Sequence, residues 1–349
     1  MIAPFRAALP LASTPILSAN VASACCPQVQ APSHPPVRLL TKVGADPHGR
    51  ALLAELANDG VDTQYTSIAE AGEATPTSVI LVCGSSRTIV HDPGLMVTAP
   101  MQPSEIDGHW DMVGSAHADC PKWLRGAALL LLDGRHPAAA LHAAQCARAF
   151  DIPVLLDVER PRPGLRELLP LADYVVSSAD YPAKIAAELV TESAARASST
   201  GAATGDADAA KGAQGVARNG ASGQAAIWLD EDASSEEMAR FVLCHCPRAQ
   251  WVILTLGECG AIAVERAPAD GIGAVHKVPV WPAVQVKDTT GAGDAFVGAT
   301  AACVRRGLAL TQTLRLASYA AAANCAADGA RGGMPQYATL PEELRSLLD

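Results

Sequence analysis

Short apolar runs alternate with amphipathic stretches along most of the chain, and the alternation predicts an α/β fold. Val37–Val43 reads as a strand, and Asp46-Pro47 opens a helix that runs through Leu56 and stops at Asn58-Asp59-Gly60. Asp ahead of Pro at the first helical position is a start signal, and Gly after the last turn is a stop signal. Thr77–Val82 and Arg87–His91 flank the turn Gly84-Ser85-Ser86, which predicts a β-hairpin. Ala127–Leu132 reads as a buried strand followed by a helix over Ala138–Phe150. Strands follow at Pro153–Asp157, Tyr174–Ser177 and Trp251–Leu256, and helical spacing returns over Ala295–Val304. Apolar strands separated by amphipathic helices imply a mostly parallel sheet with helices on both faces.

Two stretches break the pattern. Residues 193–225 are Ala, Gly, Ser and Thr with scattered charge and no Leu, Ile, Phe, Trp or Tyr, which predicts a disordered surface insertion. Residues 1–36 hold no Asp or Glu, one Arg (Arg6), five Ser and Thr together, and a proline cluster from Pro27 onward. That composition suits a plastid or mitochondrial transit peptide, or an unstructured start. A cytoplasmic or plastid protein is expected, with the folded domain over residues 37–349.

Composition narrows the partners. A formal net charge of −10 speaks against a nucleic-acid backbone, which needs clustered Lys and Arg. It leaves room for ATP, because backbone N–H groups and a few local cations can hold phosphates. No run of 18 apolar residues predicts a membrane span. The ten cysteines are scattered, with Cys146, Cys303 and Cys325 in Ala-rich helical stretches, so buried free thiols are expected. Cys244-His245-Cys246 lacks a second pair at ligand spacing and reads as an ordinary element end.

The chemistry concentrates at Asp288-Thr289-Thr290-Gly291-Ala292-Gly293-Asp294, a glycine turn opening a helix. Gly291 and Gly293 let backbone N–H groups approach an anion, and the helix N-terminus adds partial positive charge. Asp294 falls in the first helical turn beside that hole, where a carboxylate can take the proton of an attacking hydroxyl. Gly-x-Gly-Asp alone equally describes a helix cap. The seven-residue string resembles the second signature of the PfkB/ribokinase family of carbohydrate kinases, in which the final Asp is the catalytic base and Gly-Ala-Gly the anion hole.

The resemblance extends over most of residues 37–340. Lys42–Gly49 with Gly60-Val61-Asp62-Thr63 is similar to the family's Gly-x-Asp-x-x-Gly unit. Ser86–His91, Asp133-Gly134-Arg135 and Asp157–Pro161 are similar to ketohexokinase and plant PfkB-like kinases. The resemblance implies a ribokinase-like fold with a small β lid near residues 76–92, ATP and Mg²⁺ as cofactors, and a small-molecule sugar substrate. It implies Arg87, Asp133 and Arg135 for substrate. It implies Thr255, Gly257 and Gly260, together with Cys325 and Gly329, for nucleotide, and Asp288 with Thr290 for a monovalent cation such as K⁺. Bland roles stand beside these: Arg87 in a surface ion pair, Asp133 as a helix cap, Asp157 and Glu159 as structural carboxylates. The lid makes a homodimer an expectation as well.

Two departures qualify the resemblance. Ser177-Ser178-Ala179-Asp180 replaces the usual Asn-x-x-Glu element, so Mg²⁺ is expected through ATP and water. Family members also begin with a strand bearing a sugar-binding Asp, lid strands and a Gly-Gly-x-x-x-Asn segment. Here no Asp precedes Asp46 and no Gly precedes Gly44, so the lid and the sugar half are expected to be incomplete. A non-catalytic nucleotide-binding or assembly protein and a nucleoside kinase are the alternatives to a sugar kinase.

Overall fold

The computed structural model describes residues 37–83, 86–107, 120–186, 233–268, 271–282 and 285–348, and of residues 82–87 no side chain. The expected leader (1–36) and insertion (193–225) lie outside the described residues, as does the Arg87 side chain.

Lys42–Val43 (β1) and Ser67–Ile68 (β2) form a small parallel pair. The first helix, Pro47–Asn58 (α1), begins as its sequence demands: the Asp46 side chain accepts from the Gly49 N–H at 2.7 Å, and Pro47 occupies the first turn. Thr77–Cys83 (β3) and Ser86–Asp92 (β4) make the expected antiparallel hairpin. The central sheet has six strands: Leu130–Leu132 (β5), Val154–Val158 (β6), Tyr174–Ser178 (β7), Trp251–Thr255 (β8), Ala261–Arg266 (β9) and Ile272–Val278 (β10), in the order β10-β9-β8-β7-β6-β5. β5 through β8 pair in parallel, whereas β9 and β10 are antiparallel additions that the apolar runs did not announce.

Strand alternation builds two cores, because successive side chains leave opposite faces. Leu155, Val176, Ile253 and Ala263 face Ala292–Arg305 (α4) and Leu310–Cys325 (α5). Leu156, Val175, Val252 and Leu254 face Pro137–Ala149 (α2) and Ser235–His245 (α3). The expected mostly parallel sheet with helices on both faces is thus present, and Cys146, Cys303 and Cys325 are buried free thiols.

Two expected strands are shorter than their apolar runs. Of Val37–Val43 only Lys42–Val43 pairs as a strand, with an isolated bridge from Arg38 to Asp62. There the Arg38 guanidinium donates to the carbonyls of Trp123 and Arg125 at 3.1 and 2.7 Å, so side-chain docking replaces a ladder. Ala127–Leu132 contracts to Leu130–Leu132, and the Ala127 N–H closes a turn on the Leu124 carbonyl. Cys244 and Cys246 end α3, and among the described residues no group of His, Cys, Asp and Glu is placed to hold a metal ion. Among them too, no helix is long and apolar enough to cross a membrane.

Candidate active site

The carboxyl ends of the parallel strands and the start of α4 converge on one region, the usual ligand crevice of an open α/β sheet. At its centre Gly291 caps α4 with φ 78°, a left-handed conformation open to glycine. A Cβ there would lie 2.3 Å from the Ala330 carbonyl oxygen, so the turn is packed directly onto the 329–331 loop. At Gly293, in contrast, a Cβ would meet nothing within 4 Å. Among the described residues the N–H groups of Gly293 and Asp294 take no backbone acceptor. The first turn of α4 therefore offers donors to open space, with the helix dipole behind them.

Asp294 is 7% exposed, and its Oδ1 has no hydrogen-bond partner among the described residues. Burial first, and then the charges of Glu159 and Asp157, hold its carboxyl well above the ordinary carboxylate range, against the opposing pull of Arg135. A buried polar atom left without a partner is costly, and a strongly perturbed carboxyl in a crevice is a functional-site signal.

Sheet register supplies the neighbours. Leu132 pairs with Leu156, so the residues just beyond, Asp133 and Asp157, leave adjacent strands on the α4 side. Asp157 is 8% exposed, and its carboxyl is pushed up by burial and by Glu159 and Asp133. Asp157 and Glu159 thus lie within electrostatic reach of Asp294. Asp133 does not cap α2, whose N-cap is His136. It accepts instead from the Arg135 N–H at 3.1 Å and pairs with the Arg135 Nε at 3.0 Å, and Arg135 stands 3.9 Å from Glu159.

The residues implied for nucleotide divide into two groups. Gly257 and Gly329, both at positive φ, border open space in which a Cβ would meet nothing within 4 Å. That room suits a ligand lying along the turn. Gly260 is packed instead, since a Cβ would sit 2.1 Å from the Val278 carbonyl oxygen. Cys325 is buried, and its carbonyl accepts the Lys287 N–H at 2.8 Å, which fixes the loop before the motif. The Thr255 hydroxyl donates to the Ser177 carbonyl at 3.3 Å at the end of β8.

Asp288 acts as a staple. Its Oδ1 accepts from the Thr290 N–H and hydroxyl at 2.9 and 2.7 Å, and its Oδ2 from the Gly329 N–H at 3.0 Å. Asn324, fully buried on α5, adds a second staple that the sequence reading passed over: its Nδ2 donates to the carbonyls of Thr290 and Ala330, both at 3.0 Å. A lone Asn in Ala320–Cys325 was the available signal, since an amide inside an Ala-rich helix needs partners.

A model of the pfkB family carbohydrate kinases matches residues 19–204 and 224–336. The ribokinase of Lactococcus lactis is 38% identical over 96 residues, which is 28% of this chain and 30% of that protein, so the match spans under a third of the relative. The fold is similar to that of Arabidopsis thaliana ribokinase, a structure complexed with ribose and ATP, at 21% identity and TM-score 0.63, covering 97% of this chain and 87% of that one. Thermotoga maritima ribokinase gives TM-score 0.62 at 20% identity, covering 95% and 85% of the two chains. A Burkholderia thailandensis nucleoside kinase in complex with inosine gives 0.59 at 17% identity, covering 96% and 83%.

Proposed function

The chain belongs to the pfkB family of carbohydrate kinases, and from that premise we propose that it transfers the terminal phosphoryl group of ATP to a hydroxyl of a sugar or sugar-like alcohol. The observation that carries this reading is the buried, unpartnered Asp294 oxygen beside the open N–H groups of the α4 turn. In the step, the acceptor's O–H proton passes to Asp294 as its oxygen bonds to phosphorus, and the bond from phosphorus to the ADP oxygen breaks. A base whose pKa is raised toward working pH is suited to this transfer. The N–H groups of Gly293 and Asp294, with the turn through Gly291 and Ala292, face the charge that builds on the phosphoryl oxygens.

Mg²⁺ supplies charge neutralisation on the ATP phosphates and is carried by those phosphates and water. The chain has Ser177-Ser178-Ala179-Asp180 where Asn-x-x-Glu is usual, so the Asn is replaced by Ser and the acid is shortened to Asp180. K⁺ enters the reading through Asp288 and Thr290, and omitting K⁺ from the assay tests it. Assembly as a homodimer would use the β3–β4 hairpin, whose Val79, Ile89 and Val90 are 41%, 52% and 59% exposed. Sedimentation of the full chain tests that part.

A sugar or related alcohol fits better than a nucleoside, because an aromatic content of 4% leaves few rings to stack a base. The test is ADP release with ATP, Mg²⁺ and K⁺ across ketoses, aldoses and nucleosides. Acceptor-dependent turnover on sugars supports the reading. ATP binding without turnover on any acceptor would favour the non-catalytic nucleotide-binding alternative.

A further inference from the structure

The last turn of α5 carries a single amide, Asn324, directly after Ala320-Ala321-Ala322-Ala323. Backbone packs on backbone around it. A Cβ on Gly333 would lie 2.4 Å from the Ala323 carbonyl oxygen and 2.7 Å from that of Asn324, so the loop after Gly329 wraps the helix end closely. The Cys325 carbonyl accepts the N–H groups of Lys287 and Asp288 at 2.8 and 3.3 Å. Asn324 therefore sits where the end of α5, this loop and the anion-hole turn meet.

Its amide has one workable orientation. Nδ2 donates to the Thr290 and Ala330 carbonyls, both at 3.0 Å, and Oδ1 is buried without a partner among the described residues. Reversed, the amide oxygen would face two carbonyl oxygens with no proton between them. A neutral group with partial positive charge is thus fixed between two carbonyls. One belongs to the residue before Gly291, and the other to the residue on which Gly291 is packed.

The monovalent cation expected at Asp288 and Thr290 would need these same oxygens. A hard cation is held by several oxygens whose lone pairs converge on it. Here each oxygen already takes a proton donor. Asp288 Oδ1 accepts from the Thr290 N–H and hydroxyl, and Asp288 Oδ2 from the Gly329 N–H. The Thr290 and Ala330 carbonyls accept from Asn324, and the Cys325 carbonyl from two backbone N–H groups. A donor on a carbonyl puts the positive end of its own bond where the ion would have to sit. The set does not fit the ion.

We propose that Asn324 is a positioning residue for the anion hole, its amide holding the Thr290 and Ala330 carbonyls together as a bound cation would, so that turnover does not depend on K⁺. The inference rests on the kinase reading for its activity readout alone, and within that reading the cation's part passes to the amide. Fully buried, Asn324 touches neither acceptor nor phosphate. It acts through the Thr290–Gly291 peptide, whose placement sets where the Gly293 and Asp294 N–H groups aim.

The test compares the full wild-type chain with Asn324→Ala in KCl and in choline chloride at equal ionic strength, on an acceptor that the wild type phosphorylates. Wild-type kcat is expected to be the same in the two salts, and K⁺ should leave the wild-type thermal midpoint unmoved. In choline chloride Asn324→Ala should lose about 10- to 100-fold in kcat with the acceptor KM within a few-fold, because the turn is displaced and the acceptor pocket is not. K⁺ should then raise the variant's kcat about three- to tenfold and raise its midpoint, since the freed carbonyls regain a positive partner. The midpoint also verifies folding. Asn324→Ser, whose short hydroxyl cannot span both carbonyls, repeats the measurement if the Ala variant does not fold, and the wild-type comparison needs no variant. Wild-type turnover that depends on K⁺, a folded Asn324→Ala variant with wild-type kcat in choline chloride, or a loss that K⁺ does not relieve overturns the proposal. If no acceptor is turned over, a midpoint raised by K⁺ in Asn324→Ala and not in wild type leaves this site standing and counts against the kinase reading instead.

Discussion

At Asp294 a single carboxylate carries both the proposed chemistry and a cost in stability. Its folded pKa lies above the value of the unfolded chain, so between the two the folded protein binds more protons and stability falls as pH rises. Asp294→Asn removes that charge. The variant is expected to melt roughly 2–4 °C higher at pH 8, about 1–2 kcal/mol, and this advantage should disappear below about pH 3, where the folded and the unfolded chain both hold the proton. Scanning calorimetry at pH 8 and about pH 3 checks it, and an unchanged or lower midpoint at pH 8 contradicts the burial argument. The same charge sets activity: turnover should rise with pH through the raised value as the base loses its proton. Gly291 shows the other constraint at this scale. Gly291→Ala would place a methyl 2.3 Å from the Ala330 carbonyl at a φ of 78°. We expect a loss of about 1–3 kcal/mol in urea unfolding together with a fall in turnover. A variant of wild-type stability would mean that the 329–331 loop can move aside.

Elements are positioned by local signals that the sequence spells out and by pairings that it does not. α1 was legible because Asp46, Pro47 and Gly60 are local start and stop devices. What was not legible is that Asp46 also reaches Thr75, accepting from its N–H at 2.6 Å and its hydroxyl at 2.8 Å, and so ties α1 to the loop leading into the hairpin. Burial would raise the Asp46 pKa, but the Thr75 and Gly49 hydrogen bonds outweigh it and the net shift is downward. Stability from a depressed carboxylate is present above its unfolded value and lost as pH falls through the folded one. Asp46→Ala should therefore cost about 2–3 kcal/mol at pH 7, and the gap to wild type should narrow below about pH 4 in denaturant titrations. A gap that stays constant with pH would assign the effect to packing. The antiparallel strands β9 and β10 went unread for a related reason. Gly260 and the Asp270-Gly271 step were available turn signals, but β10 alternates half-exposed positions and carries His276 and Lys277, so it lacks an apolar run.

Over the whole molecule, the glycine turn and its Asp could be found by reading along the chain, because a helix N-terminus is a local object. The electrostatic shell around Asp294 could not, because Asp133, Asp157 and Glu159 meet it only through the register of β5 and β6 and the crossing of α4 over their face. The two ends of the described chain are also joined, since Arg331 pairs with Glu55 at 3.1 Å and with Asp59, linking the loop beneath the anion hole to α1. Exposed pairs of this kind are worth little each, so the link orients the loop more than it stabilises the fold.

The most direct test of the central claim is turnover of Asp294→Asn beside wild type, on an acceptor that the wild type phosphorylates, with ATP affinity measured on both. The account predicts a kcat lower by about a hundred- to ten-thousand-fold with ATP affinity within a few-fold of wild type, since the amide keeps the shape of the turn and loses only the proton acceptor. Turnover within a few-fold of wild type would show that Asp294 is not the base and that the buried carboxylate serves the fold alone.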